Sequence, residues 1–168
     1  EVNLTGGWDI PIPNDPMLGT LSTGVLAHYQ NGSWAMDDNK DGFLDMPLNQ
    51  NLNLLNRWYY KNDLYTFQFL VRGLHDDRHG GQRETQHGRK HGLTMPTNPY
   101  LIDLNTDRID GFMKNGFILD EETGMSIGII TSASYHKQHN TYGKRDWKAD
   151  QWNAYLNAVF ENTWCDES

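Results

Sequence analysis

Between Leu48 and Leu74 apolar and polar residues alternate with a period of two. Leu48, Leu52, Leu54, Trp58 and Tyr60 share one parity, with Asn56 as its polar exception, while Asn49, Asn51, Asn53, Arg57 and Tyr59 share the other. Beyond Lys61-Asn62-Asp63 the pattern resumes, with Tyr65, Phe67, Phe69 and Val71 set against Thr66, Gln68 and Arg72. Successive side chains of a strand point to opposite faces, so each arm predicts a strand with one apolar and one polar face. The short polar segment between the arms predicts a hairpin turn. Trp58, Tyr59, Tyr60, Tyr65 and Phe67 crowd that turn from both sides.

Fainter copies of the pattern flank the hairpin. Glu1 to Ile12 starts as a strand at Val2 and Leu4, and Gly6-Gly7 is expected to break it; Pro11, Pro13 and Pro16 then mark a connection, since proline cannot donate to a ladder. Gly19 to Gln30 places Leu21, Thr23, Val25, Ala27 and Tyr29 against Ser22, Gly24, Leu26 and His28. Further strands are expected over Arg108–Leu119 (Ile109, Gly111, Met113, Phe117), Met125–His136 (Met125, Ile127, Ile129, Ala133) and Gln151–Thr163 (Trp152, Ala154, Leu156, Ala158, Phe160). About six to seven strands and no convincing helical periodicity make the class all-β. Asp120–Gly124 reads as a second short turn, whereas Asn31–Met46, His75–Asp103 and Lys137–Lys148 read as long polar connections.

Composition narrows the setting. The 168 residues are 37% hydrophobic and carry a formal net charge of −8. That length suits one domain. No window approaches the ~18 consecutive apolar residues of a membrane-spanning helix. A spanning β-strand needs an apolar residue only at every second position, so lean hydrophobicity leaves a barrel open. The acidic balance excludes nucleic acid as a partner, because phosphate binding calls for a basic surface. The single cysteine, Cys165, permits no internal disulfide. Glu1-Val2-Asn3 lacks a basic and then apolar leader, which leaves a cytoplasmic chain or a mature or internal piece of a longer one.

Two architectures share this pattern. In a secreted, calcium-stabilised β-sandwich, a binding module that takes carbohydrate through exposed tryptophans, the apolar faces would meet across a second sheet. In an outer-membrane barrel they would meet lipid, the Asn/Gln/Arg parity would line a wet interior, and aromatics would ring the interface. Short turns alternating with long loops favour the barrel, which keeps tight turns at one end and long loops at the other. Structureless loops of this length are uncommon in compact soluble domains. The expected fold is therefore an antiparallel up-and-down sheet, an open segment of a transmembrane β-barrel. Leu54, Trp58, Phe67, Phe69, Ile127, Ile129, Leu156 and Phe160 should share its apolar face.

Three groups of residues carry a family resemblance: Asp37-x-Asn39-Lys40-Asp41-Gly42-Phe43-Leu44-Asp45-Met46-Pro47-Leu48, Asn56-Arg57-Trp58 and Asp77-Arg78-x-Gly80-Gly81-Gln82. They resemble TonB-dependent outer-membrane receptors of the Bacteroidetes type, nearest to the cobalamin- and siderophore-receptor-like members. Ile129–Thr163 is similar to a later barrel hairpin of the same proteins, and the likeness covers roughly Gly19 to Thr163. It implies location in the cell outer membrane and transport of iron chelates (siderophore or haem) or cobalamin. It also implies outer-membrane lipid, TonB acting through a plug, and a surface lipoprotein as partners. Such receptors carry a plug domain and about twenty-two strands, so residues 1–168 are expected to be an internal, partial barrel lacking the plug and the remaining strands.

Candidate chemistry is sparse. Asp37, Asn39, Asp41 and Asp45, with the Phe43 carbonyl, follow D-x-N-x-D-G-x-x-D, an oxygen-rich spacing that could wrap calcium. Leu48 stands where an EF-hand has its bidentate Glu, and the bland alternative is a metal-free Asp-Gly turn. Calcium use in extracellular loops of some cobalamin receptors bears on this loop through the resemblance. His75, His79, His87 and His91, with Asp76 and Asp77, lack the helical spacing of zinc sites and read as solvated loop residues. No nucleophile–base set or phosphate-cradling loop emerges, so no enzymatic activity is expected.

Overall fold

A computed structural model describes residues 1–12, 19–82 and 99–162. Seven strands, β1 (Val2–Ile10), β2 (Thr20–Gly32), β3 (Leu48–Lys61), β4 (Tyr65–Gly81), β5 (Leu101–Asp120), β6 (Met125–Tyr142) and β7 (Arg145–Glu161), form one sheet in chain order. Every neighbouring pair is antiparallel. The sheet is an up-and-down meander that does not close into a barrel, with no helix among the described residues. A sandwich would need a second sheet to cover the first, and the described residues form only this one.

The register assigns the faces, because directly opposed residues share a face. One unbroken row runs Trp8, Thr23, Trp58, Phe69, Met113, Thr131, Leu156 across all seven strands. The next row toward the β3–β4 turn runs Ile10, Leu21, Tyr60, Phe67, Asn115, Ile129, Ala158. Leu54, Trp58, Phe67, Phe69, Ile127, Ile129, Leu156 and Phe160 all fall on this face, as the alternation predicts.

The hairpin turn occupies Asn62 to Leu64 and is built by one side chain. Asn62 Oδ1 accepts the amides of Leu64 (3.1 Å) and Tyr65 (2.6 Å), and the Asn62 amide donates to the Tyr65 carbonyl (2.9 Å). At the β5–β6 turn Asp120 accepts the Glu122 amide (3.0 Å) and the Thr123 hydroxyl (2.8 Å). The Thr123 hydroxyl, and then the Glu122 amide, hold the Asp120 carboxyl below its ordinary range. The β3–β4 and β5–β6 turns lie at one end of the sheet, with residues 33–47 and the two-residue turn at Gly143-Lys144 at the other.

Several expected boundaries are overturned. β1 runs through Gly6-Gly7 without a break; the pair faces Val25 and Gly24, and the Trp8 indole covers the bare Gly6 backbone (a Cβ there would meet the ring at 3.0 Å). The expected loop His75–Asp103 gives up its first residues to β4, which continues to Gly81, and its last to β5, which begins at Leu101. Lys137–Lys148 is not a loop: β6 reaches Tyr142 and β7 starts at Arg145, joined by Gly143-Lys144 alone. These extensions are largely polar, and the few apolar residues in them, such as Ile102 and Leu104, make too short an alternation to betray a strand. Across β4 and β5 His75 bonds to Asp107, in a register row that continues to Lys137 and Asp150. Gly143 has φ +62° at the first central position of its two-residue turn, the place where a type II′ hairpin wants glycine. Pro13, Pro16, His87, His91 and Thr163 lie outside the described residues.

Candidate functional site: an uncovered apolar belt backed by a polar face

Burial follows from the single layer. No hydrophobic side chain among the described residues is buried. Leu156 is 72% exposed, Phe160 61%, Leu54 47% and Phe69 37%, while Trp58, Phe67, Ile127 and Ile129 are half-buried by their neighbours on the same face. Among the described residues, lateral packing within the sheet is the only cover these side chains have.

The apolar face is zoned along the strands. Its belt runs from the row Leu4, Ala27, Leu54, Gly73, Ile109, Tyr135, Trp152 down to Tyr65, Phe117, Ile127 and Phe160. On β5 that is Ile109 to Phe117, nine residues, or about 27 Å along the strand. Aromatics mark both margins. Tyr135 packs tilted against Trp152 at 4.4 Å between ring centroids at the upper margin, and Tyr65 lies 4.9 Å from Phe117 and 6.0 Å from Tyr60 at the lower. Above the belt the same face turns ionic: His75 pairs with Asp107 at 2.7 Å, and His79 bonds to Asp103. These two histidines are therefore strand residues with carboxylate partners, not loop residues.

Polar atoms inside the belt are satisfied locally. Asn56, the exception in the alternation, accepts the Trp58 indole N–H at 2.6 Å and donates to the Gly24 carbonyl at 3.2 Å. Asn115 accepts the Tyr65 hydroxyl at 2.7 Å. Such pairing lowers the cost of placing an amide in an apolar surrounding.

The opposite face carries the amides Asn49, Asn51 and Asn53 above the belt; at belt height it mixes Arg57, Gln68, Arg72 and Lys114 with Leu26, Leu55, Leu70, Phe112 and Ile130, and its polar groups are cross-linked. Asn51 donates to Asp76 (2.9 Å), Arg72 to Asn53 (3.1 Å) and Asn153 to Ser134 (3.2 Å). Arg78 pairs with Asp76 and Arg108 with Asp110, each at 2.8 Å.

The Asp37–Asp45 loop folds on itself. Asp45 Oδ2 accepts the Asp38 amide (2.7 Å), Asn39 Oδ1 the Asp41 amide (3.1 Å) and Asp41 Oδ1 the Phe43 amide (2.8 Å), while Asn39 Nδ2 donates to Asp41 Oδ2 (3.0 Å). Lys40 (φ +59°) and Gly42 (φ +86°) take the left-handed conformation that these side-chain turns require. Phe43 pairs across to Gln82, and the Leu44 amide donates to the Gly81 carbonyl (2.9 Å), fastening the loop to the end of β4. Asp37 Oδ1 is shielded from solvent without a hydrogen-bond partner among the described residues. The five expected calcium ligands are thus neighbours, but Asn39, Asp41 and Asp45 point oxygens at the loop's own amides, and among the described residues no three Asp, Glu, His or Cys converge as a metal group. In this arrangement the side-chain oxygens are spent on the loop's own amides.

Comparison with protein-family models, with curated proteins and with solved structures finds no match for this chain.

Proposed function

We propose that the sheet is a stretch of the wall of an outer-membrane β-barrel, its apolar belt against lipid and its amide-rich face toward a hydrated lumen. The observation that carries this reading is the uncovered belt: an apolar face spanning seven strands with no buried core behind it among the described residues. Exposed apolar surface of this extent calls for a partner or a membrane. The belt has the dimensions of the second. A tilted spanning strand needs roughly 9–11 residues, and β5 supplies nine between its margins. Aromatics at both margins and locally paired polar atoms within the belt fit the same setting. The strand ends above the belt carry the His75–Asp107, His79–Asp103 and Arg78–Asp76 pairs, as suits a part standing in water.

On the resemblance of the Asp37–Leu48, Asn56–Trp58 and Asp77–Gln82 segments, the barrel is that of a TonB-dependent receptor that imports iron chelates or cobalamin. The outer edges of β1 and β7 have no strand partner among the described residues, and unpaired edges of this length join further strands in such a barrel. Calcium on Asp37, Asn39, Asp41, Phe43 and Asp45 is a separate proposal, which requires those side chains to leave the amides they now accept. Expression of the intact protein with membrane fractionation is the first test. Recovery in the outer membrane, resistant to carbonate extraction, is expected, and recovery in the soluble fraction refutes the reading. The sandwich alternative gains no support from a single uncovered sheet.

A further inference from the structure

Resting on the barrel reading, the charges of the polar face name a class of solute. The chain as a whole carries −8, yet at the height of the belt this face is cationic. Arg57, Arg72 and Lys114 stand there without a carboxylate in salt-bridge range among the described residues. Of the carboxylates at that height, Asp110 lies opposite Arg72 but is bonded to Arg108, which leaves Asp9.

The register brings the three cations together. Arg57 opposes Leu70 and Arg72 opposes Leu55, so the two arginines are diagonal neighbours, about 7–8 Å apart at this spacing. Lys114 opposes Gln68, and Gln68 opposes Tyr59 beside Arg57. Two of the cations are held by neutral groups: Arg72 by Asn53, and Arg57 over the Tyr59 ring at 5.8 Å. Neither contact cancels the charge. Next to Arg57 the paired glycines Gly7 and Gly24 remove two side chains from the polar face. They leave a depression of about 310 Å³ whose walls include Ser22, Tyr59, Arg57 and Asp9. The hydroxyls and the guanidinium over a bare backbone floor are donors of the kind that hold an oxyanion, and the Asp9 carboxylate on the far wall confines that role to the Arg57 side.

We infer that this strip binds and guides solutes bearing carboxylate, sulfonate or phosphate groups, in preference to neutral or cationic ones. Arg57, at the depression, is the principal contact, with Arg72 and Lys114 setting the local potential. The same logic makes rings of Arg and Lys the anion-selecting element of aqueous pores.

The test uses the intact protein in outer-membrane vesicles with its native thiol removed by Cys165→Ser. Gln68→Cys then places a thiol between Arg57 and Lys114 on the polar face, and Phe69→Cys places one on the belt. Each is treated with membrane-impermeant methanethiosulfonates, one ending in a sulfonate and one in a trimethylammonium, with rates normalised to a free thiol. Three cations at this spacing, screened at physiological salt, should favour the anionic reagent at position 68 by roughly tenfold. Arg57→Gln/Arg72→Gln/Lys114→Gln should abolish the preference, and position 69 should stay unreacted. Citrate or inorganic phosphate at constant ionic strength should slow the reaction at position 68, and the more effective of the two identifies the oxyanion favoured; protection by neither overturns the inference. So does equal reactivity toward both reagents at position 68 with position 69 silent, an outcome that leaves the barrel reading intact. Ready reaction at position 69 overturns the barrel reading itself.

Discussion

The lipid-facing reading makes a quantitative demand on Phe69. Its side chain sits in the third of the five belt rows, opposite Trp58 on β3 and Met113 on β5. If that row lies near the bilayer midplane, Phe69→Arg places a guanidinium in hydrocarbon and should cost about 2–4 kcal/mol of folding free energy. Phe117 has the same face but lies in the lowest belt row, so Phe117→Arg should cost only about 0–1 kcal/mol. Ser132→Arg, at nearly the same height on the opposite face, is a wet-surface substitution and should fall within about ±0.5 kcal/mol. The assay is reversible guanidinium unfolding of the intact protein refolded in phospholipid vesicles, followed by tryptophan fluorescence, with m-values compared to check that the unfolding reaction is unchanged. The contrast among the three positions is the content of the argument. Equal, small costs at Phe69, Phe117 and Ser132 would mean that the belt is wet and would refute it.

Three further outcomes follow from particular contacts. A Cβ at Gly143 would lie 2.7 Å from the Tyr100 ring at φ +62°, so Gly143→Val should destabilise by about 1–3 kcal/mol, while Lys144→Ala should be nearly neutral in the same unfolding assay. The Asp120 carboxyl is held below its ordinary value by Thr123 and the Glu122 amide, so its contribution is present above that ordinary value and lost as pH falls through the lowered one. Thr123→Val should move the carboxyl's NMR titration midpoint upward, and an unmoved midpoint would discard the cause. For the Asp37–Asp45 loop, calcium titration of wild type against Asp41→Ala decides the metal proposal. Saturable binding in the ~10⁻⁴–10⁻³ M range typical of extracellular modules that Asp41→Ala removes would support it, and heat-silent titration at millimolar calcium would leave the loop a hydrogen-bonded turn.

What the sequence reveals of this fold depends on whether a strand has an apolar face. β3 and the start of β4 are legible because Leu52, Leu54, Trp58, Phe67 and Phe69 keep strict parity, and their shared face follows from that alone. The strand ends above the belt are not legible. Asp103, Asn105 and Asp107 on one parity of β5, or Lys137 and His139 on β6, look like loop composition until the register shows them opposite charged or polar partners. The two-residue β6–β7 turn does have a local signal, the Gly143-Lys144 pair in a Gly-X hairpin arrangement, masked by the polarity around it. Gly6-Gly7 misleads in the opposite direction, since the cover that Trp8 gives Gly6 is a tertiary fact. In the Asp37 loop the residue types and spacing are the same for a cation cage and for a chain of side-chain turns. Only the direction of each oxygen separates them, and sequence does not carry it.

Alternation of environment along β6 tests the central claim most directly. Single spin labels placed from position 127 to position 134, on a Cys165→Ser background in lipid vesicles, report collisions with oxygen, which concentrates in hydrocarbon, and with a water-soluble nickel chelate. Residues 127, 129, 131 and 133 share the belt and 128, 130, 132 and 134 the polar face. The account expects oxygen accessibility to peak at the odd positions and nickel accessibility at the even ones, out of phase with a period of two. Oxygen and nickel accessibilities that rise and fall together, with both faces open to water, would contradict it.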